Sequence, residues 1–351
     1  MRRFLPLPLI LALAALLPAQ ELRVTVYDGY APAEITDGFS KWAKETLHKD
    51  VTVKVTIVGN NDEAYNAIRT GSADVCVATS NMLGSERYKL ITGKLVQPID
   101  SAPLANYSDL MPSLQKPEFL VADGKQYGVP MNYGPLGLAY NTVTVKAAPT
   151  SWKALVESGQ PFAVSIDWPE ANVAVAGLIA GLPKEKVFDF TALNTPAVKA
   201  VLATMGKKSA KKWKGVDDLA TLKGLSYSTA WGFAFADLAK AGEPWAFAEP
   251  TEGTLGYVDS FVLPTSLNAD LKPIALAYID YTISPAAQAV LAKGCGGMSV
   301  NPKTKALLTA DEAKAAKLDD PTWITAHCIT LKPLALRDFN GITKLWEEAQ
   351  K

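Results

Sequence analysis

The chain is poor in the residues from which most catalytic and metal sites are made. Its 351 residues hold two histidines, His48 and His327, and three cysteines, Cys76, Cys295 and Cys328. No Cys/His spacing fits a zinc site. There is no Gly-x-Ser-x-Gly elbow, neither histidine stands in a recognisable catalytic setting, and the only Cys-His proximity is the adjacent His327-Cys328. A surplus charge of one sign is lacking as well, with 35 Lys and Arg against 35 Asp and Glu. Such a chain carries no electrostatic footprint for nucleic acid or an anionic membrane. After the N-terminus no apolar run is long enough to span a bilayer, and there are no internal repeats. These absences argue against a metal site, a cofactor and a nucleophilic active site. The small basic run Lys207-Lys208 and Lys211-Lys212 reads most simply as a solvated helix or loop.

What is present begins with MRRFLPLPLILALAALLPAQ. Arg2 and Arg3, a short apolar stretch broken by Pro6 and Pro8, and the small residue Ala19 read as a secretory signal over residues 1–19, cleaved near Ala19-Gln20. An uncleaved anchor is the alternative, and no Cys near the cleavage point offers a lipid attachment. Losing Arg2 and Arg3 leaves 33 basic against 35 acidic side chains, a net charge of −2, with no further membrane insertion expected. A mature chain of about 330 residues exceeds one small core, so roughly two domains are expected. Cys76, inside the apolar run Ala73 to Ala78, reads as a buried free thiol. Cys295 and Cys328 are a candidate disulfide in an oxidising compartment, which their spacing neither requires nor forbids.

From Leu22 onward β-rich runs alternate with helical ones. Leu22 to Tyr27 and Val51 to Val58 read as strands around an amphipathic helix, Ala33 to Leu47, whose Ile35, Phe39, Trp42 and Ala43 share a face. A helix from Asn61 to Arg69, capped by Asn61 or Asp62, leads into a strand at Val75 to Ala78. Leu136 to Asn141 is a small-residue strand able to cross between lobes. A second α/β region runs from Thr150-Ser151-Trp152 to about Gly256, with a strand ending at Trp231; after it come a strand at Gly256 to Leu263 and helices at Leu271 to Ile283 and Pro285 to Lys293. In open α/β sheets ligands bind beyond the carboxyl ends of strands. Tyr27-Asp28-Gly29-Tyr30 and Thr79-Ser80-Asn81 are therefore candidate binding loops.

Acids and aromatics supply the candidate site. Asp167 and Glu170 open an apolar helical run, and Asp259 sits beside Tyr257 where the chain should return between lobes. With Tyr27, Tyr30, Tyr133, Trp231 and Tyr257 as walls, the set reads as a receptacle for a small organic cation, because a desolvated ammonium needs carboxylates and its apolar body needs rings. Each residue has a plainer reading. Asp167 and Glu170, with Pro169 between them, also resemble a capping box. Asp259 could serve a salt bridge or hinge, Asp28 and Ser80 could bond their own turns, and Tyr30 and Tyr133 could cover a lobe edge. Trp42 and Trp346 read as core.

The order of these motifs resembles the periplasmic spermidine/putrescine-binding proteins, soluble receptors of ABC-type polyamine importers. The resemblance rests on Tyr-Asp-Gly-Tyr at 27–30, the serine turn at 79–81, Tyr127-Gly128-Val129-Pro130, Tyr140-Asn141, Asp167-x-x-Glu170, Trp231, Tyr257-Val258-Asp259-Ser260 and Asn301-Pro302. It implies an α/β fold of two lobes, with crossing hinge strands and a ligand cleft between them. Lobe 1 would comprise residues 20–134 and about 258–305, and lobe 2 residues 135–257 and about 306–351. It implies a periplasmic monomer with a polyamine ligand and a membrane ABC permease as partners. Asp167, Glu170 and Asp259 would bind ammonium groups, Trp231 and Tyr257 would form walls, Tyr27, Asp28 and Tyr30 would form the first aromatic loop, and Ser80 the hydroxyl turn. One departure is Cys295 to Asn301, where the family usually offers a Tyr and this chain has none.

Other functions remain open on the sequence. Asp167 with Asp259 could form a glycosidase acid pair. A receptor for an amino acid derivative, an aminophosphonate or a thiamine-like cation would use many of the same residues, as would a sensor or scaffold that hands closed lobes to a membrane partner.

Overall fold

Five elements from Gln20 to Thr79 follow the predicted order: β1 (Gln20–Tyr27), α1 (Ala33–Trp42), β2 (Val51–Val58), α2 (Asn61–Thr70) and β3 (Val75–Thr79). The structure, a computed structural model, describes residues 19–294 and 298–351. The expected signal residues 1–18 and Cys295, and hence the Cys295–Cys328 pairing, lie outside that range. In α1 the buried Ile35 and Phe39 stand one turn apart, which directs both onto the sheet. The helix does not run on regularly to Leu47, because Ala43–Leu47 widens into a π-turn that stops at His48 with φ 54°. The cap of α2 is Asn60, not Asn61 or Asp62. The Asn60 side chain accepts from Glu63 N–H, and the Glu63 carboxylate reaches back to Gly59 N–H, so two orphan donors are satisfied reciprocally. Cys76 is buried in β3 as expected, and burial pushes its thiol pKa up.

The later elements that matter here are β4 (Val129–Asn141), β5 (Phe162–Ser165), α3 (Pro169–Ile179), β6 (Lys211–Trp213), β7 (Tyr227–Ala230), β8 (Thr254–Pro264) and α4 (Leu336–Ala349). One sheet runs in the order β2-β1-β3-β8-β4-β7-β5-β6. β1 is parallel to β2 and β3, and β5 is parallel to β6 and β7. The long strands β4 and β8 are antiparallel to each other, pairing Leu136 with Leu255 and Val129 with Phe261.

Buried residues form two clusters, and both long strands pass through them. Val129, Met131 and Tyr133 of β4 belong to the first cluster, whereas Leu136, Leu138 and Ala139 belong to the second. In β8 the change falls between Tyr257 and Val258. A third passage follows where Cys328–Thr330 pairs parallel with Thr254 to Gly256 before Leu331 enters the second cluster. This corrects the expectation that everything from about residue 306 joins the second lobe. Ala316, Leu318, Trp323 and Ile324 pack in the first cluster, because the chain crosses only at Cys328–Thr330. α4 then lays Ile342, Leu345 and Trp346 on the second. No single helix among the described residues is long and apolar enough to cross a membrane.

Candidate functional site

A cleft opens where the parallel strands of both halves end. Tyr27, Asp28 and Tyr30 come from the end of β1, Ile57, Val58 and Gly59 from β2, and Thr79 from β3. From the other side Trp168 follows β5, Lys214, Gly215 and Val216 follow β6, and Trp231 and Phe233 follow β7. Tyr257 and Asp259 enter from β8, completing about 670 Å³ of open space. Strand ends leave backbone donors and turning side chains exposed, which is why sites gather there.

Asp259 is the buried charge of this cleft, with 2% of its surface exposed. The β4–β8 register slips beside it, Asp259 pairing with Asn132 but Ser260 with Pro130, so Met131 is an extra residue. Such a bulge re-aims a side chain without ending the ladder. Tyr30 Oη donates to Asp259 Oδ2 at 2.7 Å, while Oδ1 has no hydrogen-bond partner among the described residues. Burial raises the Asp259 pKa to about 6, opposed by the Thr79 and Tyr30 hydroxyls. The Thr79 hydroxyl is shared with Tyr27 Oη at 3.1 Å, and Tyr27 Oη donates to Asn61 Oδ1 at 2.5 Å.

The walls are aromatic and mutually braced. The Trp231 ring meets Trp168 at 5.1 Å and 75°, and Tyr257 at 5.2 Å and 86°, both edge-to-face. Tyr27 and Tyr30 stand at 6.1 Å and 71° on the other side. Tyr257 covers Gly134 so closely that a Cβ there would lie 2.8 Å from its hydroxyl. Both indole N–H groups, of Trp168 and Trp231, donate to Gly215 O, at 3.0 and 3.2 Å. Behind the wall Asp217, 2% exposed, accepts the N–H groups of Trp231, Gly232 and Ala234 at 2.6, 3.1 and 3.0 Å. Its burial pushes its pKa up against those three bonds.

Of the sequence candidates, the cleft brings together Tyr27, Asp28, Tyr30, Trp231, Tyr257 and Asp259. Asp28 is exposed at its edge and accepts from its own Gly29 N–H at 3.0 Å. Four candidates stand elsewhere. Ser80 is fully buried and donates to Leu331 O at 2.6 Å, because side chains alternate along a strand end and Thr79 takes the inward place. Tyr133 pairs with Val258, and that face of the ladder enters the first core, whereas Tyr257 and Asp259 share the opposite face.

Asp167 and Glu170 line a neighbouring pocket with Asp62 and Arg87. Ser165 Oγ accepts the N–H groups of Asp167 and Trp168, a tight turn after which Trp168 lines the cleft and Asp167 accepts Gly215 N–H, at 3.0 Å to Oδ2. The capping-box alternative also fails in detail. The residue before α3 is Trp168, with no side-chain cap, although Pro169 and Glu170 do occupy the first turn. Burial raises the Glu170 pKa, Arg87 lowers it and Asp62 raises it further. Arg87 pairs with Asp62 at 2.7 Å and lies 4.4 Å over the Phe339 ring, a contact from one half to the other.

Sequence reasoning missed Trp168, Lys214, Gly215, Phe233 and the supporting Asp217, and it named Thr79 only as part of the candidate loop from which it chose Ser80. Thr79 and Trp168 were adjacent to residues it selected, and alternation at strand ends was the available signal. Nothing in the pattern around Lys214 to Asp217 marks that loop. No group of three or more His, Cys, Asp or Glu suited to a metal occurs among the described residues.

Comparison with known proteins agrees with this architecture. The family of bacterial extracellular solute-binding proteins matches residues 40–319. The putrescine-binding periplasmic protein PotF of Escherichia coli K12 is 23% identical over 318 residues, covering 84% of this chain and 83% of PotF. The spermidine/putrescine ABC transporter substrate-binding protein PotD of Streptococcus pneumoniae superposes with a TM-score of 0.75 at 18% identity, over 95% of this chain and 100% of that one. AgtB of A. tumefaciens R10, solved with agropinic acid, superposes with a TM-score of 0.65 at 17% identity, over 94% and 98%. The two-lobe fold with hinge strands is thus shared by receptors whose named ligands differ.

Proposed function

The chain belongs to the bacterial extracellular solute-binding protein family, and from that premise we propose that it is the exported, monomeric receptor of an ABC importer, binding a small organic ammonium solute as two lobes close. Asp259 carries the reading. A carboxylate buried to 2% exposure, with one oxygen lacking a donor, faces an aromatic-lined cleft. An ammonium group would supply the missing donor and charge, and each well-placed ring would add about 1 kcal/mol of cation–π attraction. Polyamine import is the class that the names of PotF and PotD support. The location of Asp167 and Glu170 in the adjoining pocket favours a short solute over a long one such as spermidine. Binding would shift the lobes towards the closed form presented to the permease, and residues 1–19 would direct export to the periplasm.

Calorimetry of the mature protein against putrescine, spermidine, amino acids, aminophosphonates and sugars tests this. Heat from ammonium compounds is expected; heat from an anion alone, in a folded sample, would sink the reading.

The pH dependence has a definite sign. Asp259 in the folded, ligand-free protein ionises near pH 6, about two units above an unfolded Asp, so the native state holds an extra proton between pH 4 and 6. Its ionisation therefore removes stability as pH rises through 6, while an ammonium ligand needs the ionised form. Affinity should be flat above about pH 7 and fall roughly tenfold by pH 5, as proton and ligand compete for one carboxylate. An unchanged dissociation constant at pH 5 would remove Asp259 from the site.

Gly215 supplies a closure test. It has φ +71°, and a Cβ would sit 3.2 Å from Gly59 O on the facing side of the cleft. Gly215→Ala should lower unfolding stability by about 1–2 kcal/mol through the left-handed backbone. It should also weaken binding by about tenfold, since closure must hold the two loops apart. Urea unfolding and calorimetry on one sample separate the two effects.

A further inference from the structure

The aromatic cleft that holds Asp259 also carries a cation, where it adjoins the neighbouring pocket. Lys214 is exposed, lines both the aromatic cleft and the pocket of Asp167 and Glu170, and forms no salt bridge among the described residues. Its backbone is not free to swing away. The next residue is held through Gly215 N–H on both oxygens of Asp167 and through Gly215 O on the indoles of Trp168 and Trp231. Asp167, the acid that would otherwise attract a second ligand ammonium, is engaged in this anchoring. Asp28, the other acid of the cleft, is exposed and bonded to its own turn. A solute with its ammonium at Asp259 would share the cleft with the aromatic rings and with the Lys214 ammonium.

We infer that Lys214 sets the ligand class: the site takes a short zwitterion, with an ammonium at Asp259 and a carboxylate or similar anion at Lys214, in preference to a diamine. Like charges in a partly desolvated cleft repel, and opposite charges there attract more strongly than in water. The inference rests on the proposed ammonium site at Asp259 and narrows it. Lys214 is a specificity determinant in this scheme, and Trp168 and Asp167 position the loop that carries it.

Three four-carbon probes differ at the far end alone: 4-aminobutyrate is anionic there, n-butylamine neutral and putrescine cationic. Calorimetry on the wild-type protein should rank them in that order, with at least a tenfold gap between first and last. Lys214→Met should bring 4-aminobutyrate down to the level of n-butylamine, and Lys214→Glu should place putrescine first. Lys214 is exposed, so both variants should fold, and thermal melts check that. Putrescine binding the wild type as tightly as 4-aminobutyrate overturns the inference but leaves the ammonium site intact, as does a ranking unmoved by Lys214→Glu. No binding of any probe, together with no effect of Asp259→Asn on any heat, overturns the ammonium site and the inference with it.

Discussion

Asp259→Asn is expected to raise the dissociation constant for an ammonium solute by about a hundredfold or more at pH 7.5, and to make the ligand-free protein harder to unfold. Deleting one partner of a buried, hydrogen-bonded charge pair typically costs about 2–5 kcal/mol of binding. Asparagine keeps the shape and can still accept from Tyr30 Oη, which now bonds Oδ2 at 2.7 Å. The gain in stability follows from the raised pKa. Holding an ionised carboxylate with one unpartnered oxygen in this place costs the wild type up to about 3 kcal/mol above pH 6, the equivalent of two pKa units. The uncharged amide escapes that cost. At pH 4 wild-type Asp259 is itself neutral, so the stabilities of the two proteins should converge there. Urea titrations at pH 4 and 7.5, with calorimetry at pH 7.5, read both effects. Unchanged affinity would sink the site assignment, and a stability difference independent of pH would sink its electrostatic explanation.

Asp217→Ala should be the most damaging single change to the second half of the fold, lowering unfolding stability by about 3–5 kcal/mol. The carboxylate receives three backbone N–H groups from the turn after β7. Removing it leaves three inward-facing donors beside the Trp231 ring, each costing about 1–3 kcal/mol when unsatisfied, partly offset by the buried charge removed with it. Asp217→Asn should fall between alanine and wild type, because its carbonyl can keep the two bonds of Oδ1 while its amide opposes Ala234 N–H. Since Trp231 braces Trp168 and Tyr257, ligand affinity should fall with the alanine change as well. Denaturant unfolding of the three proteins gives the order; an alanine variant as stable as wild type would show that the turn holds without its carboxylate.

The contrast between Asp217 and Asp167 shows how far the acids could be interpreted from their sequence settings. Asp167-x-x-Glu170 stood out as a pair at a helix start, and Asp217 in Lys214-Gly215-Val216-Asp217 had nothing to distinguish it. In the folded chain Asp167 fastens Gly215, 48 residues away, and Asp217 fastens Trp231. Asp259 was legible because its neighbours were informative: Tyr257 two residues earlier shares its face of the strand, a period-2 relation that needs no tertiary knowledge. The same period, applied at β3, would have chosen Thr79 over Ser80.

The sequence by itself determined the succession of strands and helices, the apolar face of α1, the core placement of Trp346, the existence of a cleft at strand ends and the aromatic character of its wall. These follow from periodicities spanning a few residues, which the backbone enforces locally. Only the tertiary structure decided which carboxylates enter the cleft and where each core ends. Tyr30 meets Asp259 across 229 residues, and the register slip at Asp259 depends on β4 pairing alongside. A side chain's direction beyond a strand end is set by whichever distant donor captures it, and for Asp167 that donor was Gly215.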